Sequence, residues 1–173
     1  DKLTSYDGDS ITYDQIGNPL NYRGGMRFTW QNGRQLATAE LAREGLTDVF
    51  SYKYNEAAIR TEKNVNGVIT TYYLDGSNIV SQITRYPSGK QERLDFHYDA
   101  SGSLYSFSIS KNSEPPTEFY YIRNGQGDIL GLLDENGTQV VSYEYDIWGK
   151  LLNVTGLTPG MEEIGVKNPF RYR

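Results

Sequence analysis

Hydrophobic and polar residues alternate with a period of two along much of the chain. The clearest runs are Phe50, Tyr52 and Tyr54; Tyr105, Phe107 and Ile109; and Val141, Tyr143 and Tyr145. Successive side chains of a β-strand point to opposite faces, so each run predicts a strand with one packed face. The pattern therefore predicts an all-β protein.

Short turn-forming pairs stand where the predicted strands must reverse. They are Asn66-Gly67, Asp75-Gly76, Ser88-Gly89, Ser101-Gly102 and Asn136-Gly137. Such pairs tolerate the positive φ that tight reversals require. Strands joined in this way are predicted to form antiparallel β-hairpins.

A pair made of an aromatic residue and Asp or Asn recurs along the chain. The clear copies begin at Tyr13, Tyr54, Tyr98 and Tyr145, which are 41, 44 and 47 residues apart. Weaker copies at Trp30-Gln31, Leu74-Asp75 and Arg123-Asn124 reduce the step to about 22 residues, which is the length of one hairpin. We predict that the aromatic residue ends a strand and that Asp or Asn accepts a hydrogen bond from the N–H two residues on.

Two stretches fit the alternation less well. Residues 34–44 have a composition that favours a short helix, but they lie between two of the recurring pairs, and we predict a strand. Residues 156–169 carry Gly and Pro and are predicted to be a long loop or linker. Pro115-Pro116 marks a break before a strand at Phe119.

Tyrosine dominates the aromatic residues, with 15 Tyr beside 6 Phe and 2 Trp. A tyrosine packs its ring while its hydroxyl stays hydrated or hydrogen-bonded. This composition suits a sheet that has one face buried and the other in solvent.

Charge and cysteine content exclude several classes of function. The net charge of −5, without a basic stripe, argues against a nucleic-acid-binding surface. The absence of cysteine excludes a disulfide scaffold, a thiolate metal site and a cysteine nucleophile. No apolar run approaches the roughly 20 residues of a membrane span, and no signal peptide is visible. Both ends of the sequence are interpreted as cut from a longer chain.

No set of residues in the sequence predicts catalysis, a metal site or a cofactor. His97, the single histidine, lies between Asp95 and Asp99, but a metal site usually has three or four ligands, and we interpret His97 as a solvated strand position. The stretch DGDS at 7–10 begins like a calcium loop, yet Ile11 occupies a ligand position. We predict an exposed turn there and a chain that is not an enzyme.

The recurring Y-D-x-x-G units resemble the YD repeats of RHS proteins, a group that includes bacterial polymorphic toxins, toxin-complex shell subunits and teneurins. The repeats run from Tyr13 to Leu152. The stretch YYIRNGQGDILGLLDENGTQVVSYEYDIWGKLLNVTG at 120–156, with NPFRYR at 168–173, is similar to the start of the RHS repeat-associated core. Ala58 stands where the repeat usually has Gly, so that turn is predicted to differ or its pair to be degenerate.

The resemblance implies a ribbon of antiparallel β-hairpins that spirals into a hollow shell around a C-terminal toxin. It places YD repeats over 1–155 and a loop with the truncated start of the core over 156–173. It also implies secretion or display at a bacterial cell surface, and a non-enzymatic role in interbacterial competition. The partner is then the toxin of the parent chain.

The alternative function is a repeat module that binds a surface carbohydrate or receptor, with Trp30 and Trp148 stacking on sugar rings. Cross-strand packing of these rings competes with that interpretation. Unpaired strand edges further predict edge-to-edge self-association of the isolated chain, with FRYR interpreted as a strand that begins to pair.

Overall fold

The computed structural model describes residues 2–43 and 45–172, and it divides them into two compact units between Arg93 and Leu94. The strands of the first unit are β1 Ser5–Tyr6, β2 Asp9–Ser10, β3 Asn21–Tyr22, β4 Met26–Gln31, β5 Gln35–Arg43, β6 Leu46–Tyr54, β7 Arg60–Val65, β8 Val68–Asp75 and β9 Asn78–Arg85. Strand β10 runs from Gln91 to Tyr98. The second unit continues with β11 Leu104–Lys111, β12 Thr117–Arg123, β13 Ile129–Leu133, β14 Gln139–Tyr145, β15 Leu151–Gly156 and the helix α1 Met161–Lys167.

The strands are antiparallel and follow chain order. β1 and β2 form a small hairpin, and β3 to β15 follow one another in a sheet of 13 described strands, each beside its neighbours in sequence. The prediction of an all-β fold made of antiparallel hairpins is confirmed. Strand β5 also confirms that residues 35–43 are a strand, while Glu44 lies outside the described residues.

A β-bulge recurs at the first residue of the recurring two-residue pairs, in which an aromatic residue, or its substitute in the weaker copies, precedes the turn. The register shifts immediately before Trp30, Tyr54, Leu74, Arg123 and Tyr145, in five hairpins. A bulge adds one residue to one strand and increases the local twist. The weak pairs at Trp30, Leu74 and Arg123 therefore occupy the same structural position as the clear pairs at Tyr54 and Tyr145.

The turn after the pair is built by the side chain of Asp or Asn. Asp99 Oδ1 accepts hydrogen bonds from the N–H groups of Ser101 at 2.8 Å and Ser103 at 3.0 Å. Gly102 N–H donates to Asp99 O at 2.9 Å, which closes the turn. The same two side-chain bonds are made by Asp14, Asn124, Asp134 and Asp146. The predicted bond to the N–H two residues on is confirmed, and a second bond four residues on accompanies it.

The turn at Ala58 keeps the backbone hydrogen bonds of the other turns, so the first of the two predicted alternatives, a different turn, is wrong. Ala58 adopts φ 61°, its N–H donates to Asn55 O at 3.0 Å, and Ile59 N–H donates to Asn55 Oδ1 at 2.9 Å. A further copy, which lacks an acidic residue, stands at Tyr86, whose N–H donates to Lys90 O while Gly89 N–H donates to Tyr86 O. Backbone geometry can therefore be kept where the sequence pattern degenerates.

The hydrophobic core lies mainly in the second unit. Among the described residues, Ile11 and Ile83 are the buried apolar residues of the first unit, whereas the second contains twelve, including the fully buried Phe107, Leu132 and Val141. Strand β11 departs from the predicted one-sided burial, because Ser106 and Ser108 are buried as well as Phe107. Strand β11 is therefore buried on both faces over residues 106–108.

The C-terminal stretch differs from its prediction. Residues 161–167, predicted as loop, form the helix α1, which begins after Gly160 at φ 83° and ends at Asn168. The stretch FRYR was predicted to begin a strand; its described residues 170–172 lie outside any strand, although Arg171 O accepts one hydrogen bond from Ile129 N–H at 3.1 Å. Arg173 lies outside the described residues.

Candidate functional site

The most elaborate arrangement of side chains lies where the chain end packs on the sheet of the second unit. One sheet face, which we call the seat, carries Phe96, Phe107, Phe119, Tyr121, Leu132, Val141, Tyr143 and Val154. Cross-strand pairing places these residues on one side, since Phe107 lies opposite Phe119, Leu132 opposite Tyr121, and Val154 opposite Tyr143. Residues 161–172, which we call the strap, lie on this seat.

Glycines let the strap approach the sheet closely. A Cβ on Gly165 would lie 2.7 Å from methyl carbons of both Val141 and Val154. A Cβ on Gly156 would lie 2.9 Å from Glu162 Cα. Seven residues are too few for a stable isolated helix, so α1 depends on this packing.

Asn168 follows the helix and is fully buried, with no exposed surface. Its Oδ1 accepts hydrogen bonds from Tyr121 OH at 2.9 Å and from Phe170 N–H at 3.2 Å. Its Nδ2 donates to Tyr143 OH at 3.1 Å and to Phe170 O at 2.5 Å. The amide of Asn168 thus joins the strap to two tyrosines of the seat.

Aromatic and cationic contacts hold the rest of the strap. Phe170 packs edge-on against Phe96 at 4.9 Å between ring centroids, and Tyr172 packs against Tyr145 at 5.6 Å. The Arg171 guanidinium lies over the Tyr143 ring at 5.7 Å and donates to Val166 O at 2.7 Å. A cation over an aromatic ring is attracted to the electron-rich face of the ring's quadrupole.

The tyrosines of the seat remain protonated. Burial raises the pKa of Tyr121 and of Tyr143 above the ordinary value of 10.0, and it raises the pKa of Tyr145, whose ring lies beside that of Tyr143, to about 12. Tyr121 OH can therefore keep donating to Asn168, and Tyr143 OH to Gly165 O at 3.0 Å. At the outer surface of the strap, the hydrogen bond from Lys167 holds the pKa of Glu163 below 4.5.

His97 lies in a separate polar cluster on β10 to β12. Its Nδ1 lies 3.0 Å from Ser106 Oγ and 3.2 Å from Glu118 Oε1, while Ser106 Oγ donates to Glu118 at 2.7 Å. In a catalytic triad the serine and the carboxylate use opposite nitrogens of the ring. Here both face the same nitrogen and the serine is fully buried, so the geometry is not that of an activated nucleophile.

The two tryptophans have different environments. Trp30 is half-buried and its indole N–H donates to Pro19 O at 2.7 Å, so its polar edge is already used within the first unit. Trp148 lies at the tip of the β14–β15 turn with 84% of its surface exposed. They lie in different units, and their sugar-stacking role stays a prediction.

The remaining candidate features are the calcium-loop-like stretch, the possible metal ligands and the helix. DGDS at 7–10 lies in the exposed β1–β2 hairpin, where Asp7 and Gly8, both at positive φ, form the turn and Asp9 and Ser10 are strand β2. Within residues 2–43 and 45–172, no three His, Asp or Glu side chains are grouped so that they could hold a metal ion. The described helix is too short to cross a membrane.

Sequence reasoning missed the residues of the strap and its seat. Two signals were present: Glu163 and Lys167 are spaced i,i+4 and form an ion pair on α1, and Met161 and Ile164 are spaced i,i+3. Asn168 gave no local signal, because its partners Tyr121 and Tyr143 are 47 and 25 residues away in sequence.

Comparisons with known proteins agree on one group. No protein-family model matches the chain. The tRNA3(Ser)-specific nuclease WapA of Bacillus spizizenii is 30% identical over 149 residues, and the tRNA nuclease WapA of Bacillus subtilis is 31% identical over 149 residues. Each match covers 86% of this chain and 6% of the relative.

Solved structures share the fold. The crystal structure of TcdB2-TccC3-TEV matches 92% of this chain and 8% of its own, with a TM-score of 0.69 and 16% identity. The Photorhabdus luminescens Tc holotoxin pore also matches 92% of this chain and 8% of its own, with a TM-score of 0.64 and 15% identity. The chain is an RHS/YD-repeat protein. This RHS chain spans about 6% of the length of the WapA relatives, whose nuclease names describe whole proteins.

Proposed function

We propose that this chain forms part of the wall of a hollow RHS shell and that the wall encloses a toxin at the C-terminal end of a longer protein. The observation that carries the proposal is the recurring hairpin, with its bulge before the turn and its Asp or Asn side chain in the turn. A wall can be extended one hairpin at a time, because each hairpin contacts mainly its neighbours. The similarity to toxin-complex structures and to proteins named as nucleases supports a wall around a toxic cargo.

In this proposal the wall acts by confinement and has no catalytic residue of its own. Backbone pairing makes the wall continuous, and the strap covers the apolar seat of the second unit. The enclosed toxin is kept away from the cell that makes it until delivery to a competitor. The parent protein is accordingly secreted or displayed at the bacterial surface.

Protease protection in the natural full-length protein tests enclosure. A single cleavage site for a specific protease is placed in the C-terminal toxin, and cleavage is followed with the native protein and with the same protein unfolded in denaturant. We expect the site to be protected in the native protein and cleaved after unfolding. Equally fast cleavage in both states would refute enclosure.

Carbohydrate recognition is a second candidate, favoured by the exposed indole of Trp148 at a turn tip. A flat aromatic face of this kind can stack on a sugar ring. A glycan array with the 173-residue chain tests this function, with Trp148→Ala as the variant and Trp30→Phe as the control. Dose-dependent binding that only Trp148→Ala abolishes supports it, and absence of binding by the unmodified chain rejects it.

A further inference from the structure

The end of the strap has a sequence that is nearly repeated after two residues. Phe170 and Arg171 are followed by Tyr172 and Arg173, again an aromatic and then an arginine. A strap shifted by two residues would still place an aromatic ring against an aromatic ring and an arginine beside it. Apolar contacts tolerate such exchanges when size is roughly conserved. The aromatic and basic contacts therefore do not define a single register.

Asn168 is different, because nothing in the strap can replace it after a shift. A shift of two residues would bring either Val166 or Phe170 under the two tyrosine hydroxyls. Neither side chain accepts from Tyr121 OH or donates to Tyr143 OH. Tyr143 is only 4% exposed, so its hydroxyl would have little access to water as a substitute. A buried polar group without a partner is unfavourable, whereas the native register pairs the Asn168 amide with both tyrosine hydroxyls.

We propose that Asn168 is a positioning residue that fixes the register of the strap on the seat. The buried amide excludes shifted arrangements that the aromatic contacts alone would accept, as a single buried polar residue can do between packed helices. The register in turn places the Tyr172 ring directly over Gly149 and Arg171 O on Ile129 N–H. This role depends on the geometry of the second unit and not on the proposed enclosure of a toxin.

An exchange of the two aromatic residues tests the proposal without removing any seat contact of Asn168. In the native chain the α-protons of Gly149 lie against the ring of Tyr172, so nuclear Overhauser effects with selectively labelled Tyr report the register. In the double variant Phe170→Tyr with Tyr172→Phe, Asn168 should hold the register, and Gly149 should then contact a Phe ring. If Gly149 still contacts a Tyr ring, the aromatic side chains select the register and the proposal is wrong.

The second test removes the amide in the full 173-residue chain. In Asn168→Leu we expect an added set of Overhauser effects, from Gly149 to the ring of Phe170 or from Tyr172 to the ring of Phe96. The control Asn153→Leu changes an exposed asparagine of β15 and should keep the native set alone. Native effects alone in Asn168→Leu, or loss of every strap contact, would overturn a register role, because the second result means that Asn168 only holds the strap down.

Discussion

A comparison of two glycines with the same backbone conformation distinguishes two free-energy costs of substitution. One is the cost of a left-handed φ, and the other is the cost of a close contact. Gly137 and Gly149 both close Asp turns, at φ 75° and 83°. A Cβ on Gly137 would meet no atom within 4 Å, whereas a Cβ on Gly149 would lie 2.4 Å from two ring carbons of Tyr172 and would clash with them. The sequence predicts a glycine-dependent turn at both positions, but only the structure shows that Gly149 also makes room for the strap.

We therefore expect Gly137→Ala to lower the free energy of unfolding by about 1 kcal/mol, the cost of a left-handed L-residue. Gly149→Ala should cost more, and Gly149→Val more again, because they also displace Tyr172. Urea denaturation midpoints of the three variants provide the measurement. Equal losses for the two alanine variants would mean that Tyr172 moves aside freely.

The backbone conformation of Ala58 is strained, whereas that of the preceding residue, Ala57, is not. Ala58 adopts φ 61°, which an L-residue accepts with strain, and Ala57 is not at positive φ. We expect Ala58→Gly to raise the free energy of unfolding by about 0.5–1 kcal/mol, since relief of the strain exceeds the entropy lost with glycine. Ala57→Gly is the control and should be neutral or destabilising. A lower denaturation midpoint for Ala58→Gly would contradict the strain.

At the scale of the element, the Asp turn links stability to pH. The hydroxyl of Ser101 and the amide of Ser103 hold the pKa of Asp99 below its ordinary value of 3.8. Because the pKa of Asp99 is lower in the folded than in the unfolded state, the turn contributes stability at pH values above the unfolded-state pKa. This contribution is lost as the pH falls through the folded-state pKa. Asn124 makes the same two backbone contacts with a neutral side chain.

We predict that Asp99→Asn keeps the turn and removes its share of the acid sensitivity. Denaturation midpoints of the variant and the unmodified chain, measured from about pH 6 to about pH 2, should differ in slope below about pH 4. The variant should lose less stability in that range. Parallel curves would show that the charge of Asp99 does not contribute to the turn.

The elements differ in how far residues close to them in sequence determine their structure. The hairpins were predictable because period-two alternation, a turn-starting Asp such as Asp146 and a glycine act within a few residues. The helix α1 was not, because a seven-residue stretch containing Gly165 has weak helix propensity and forms by packing on Val141 and Val154. The strap was missed for the same reason, since the partners of Asn168 lie on distant strands.

At the scale of the whole molecule, charge is distributed unequally along the chain. Residues 1–93 contain 11 acidic and 11 basic side chains, whereas residues 94–173 contain 11 acidic and 6 basic ones. The net charge of −5 therefore arises entirely from the second unit. Electrostatic repulsion between two copies of the chain should therefore be strongest between their second units.

We predict that the isolated chain self-associates through its strand edges and that this association responds to the charge. Strands β3 and β15 are the outermost strands of the described sheet, and an unpaired edge can template pairing. At roughly 0.01 M salt the Debye length is about 30 Å and like charges oppose contact, while at 0.1 M it is about 10 Å. We expect sedimentation velocity to show association that strengthens with salt, and a monomer at every salt concentration would contradict edge pairing.

A single-particle structure of the natural full-length protein tests the central proposal most directly. We expect this chain to appear as a stretch of the wall, with its hairpins paired to further strands at both ends of the sheet and with density for the C-terminal toxin inside the cavity. The strap should lie on its seat in the register described here. A C-terminal domain folded outside the sheet, or a sheet that encloses no cargo, would contradict the proposal.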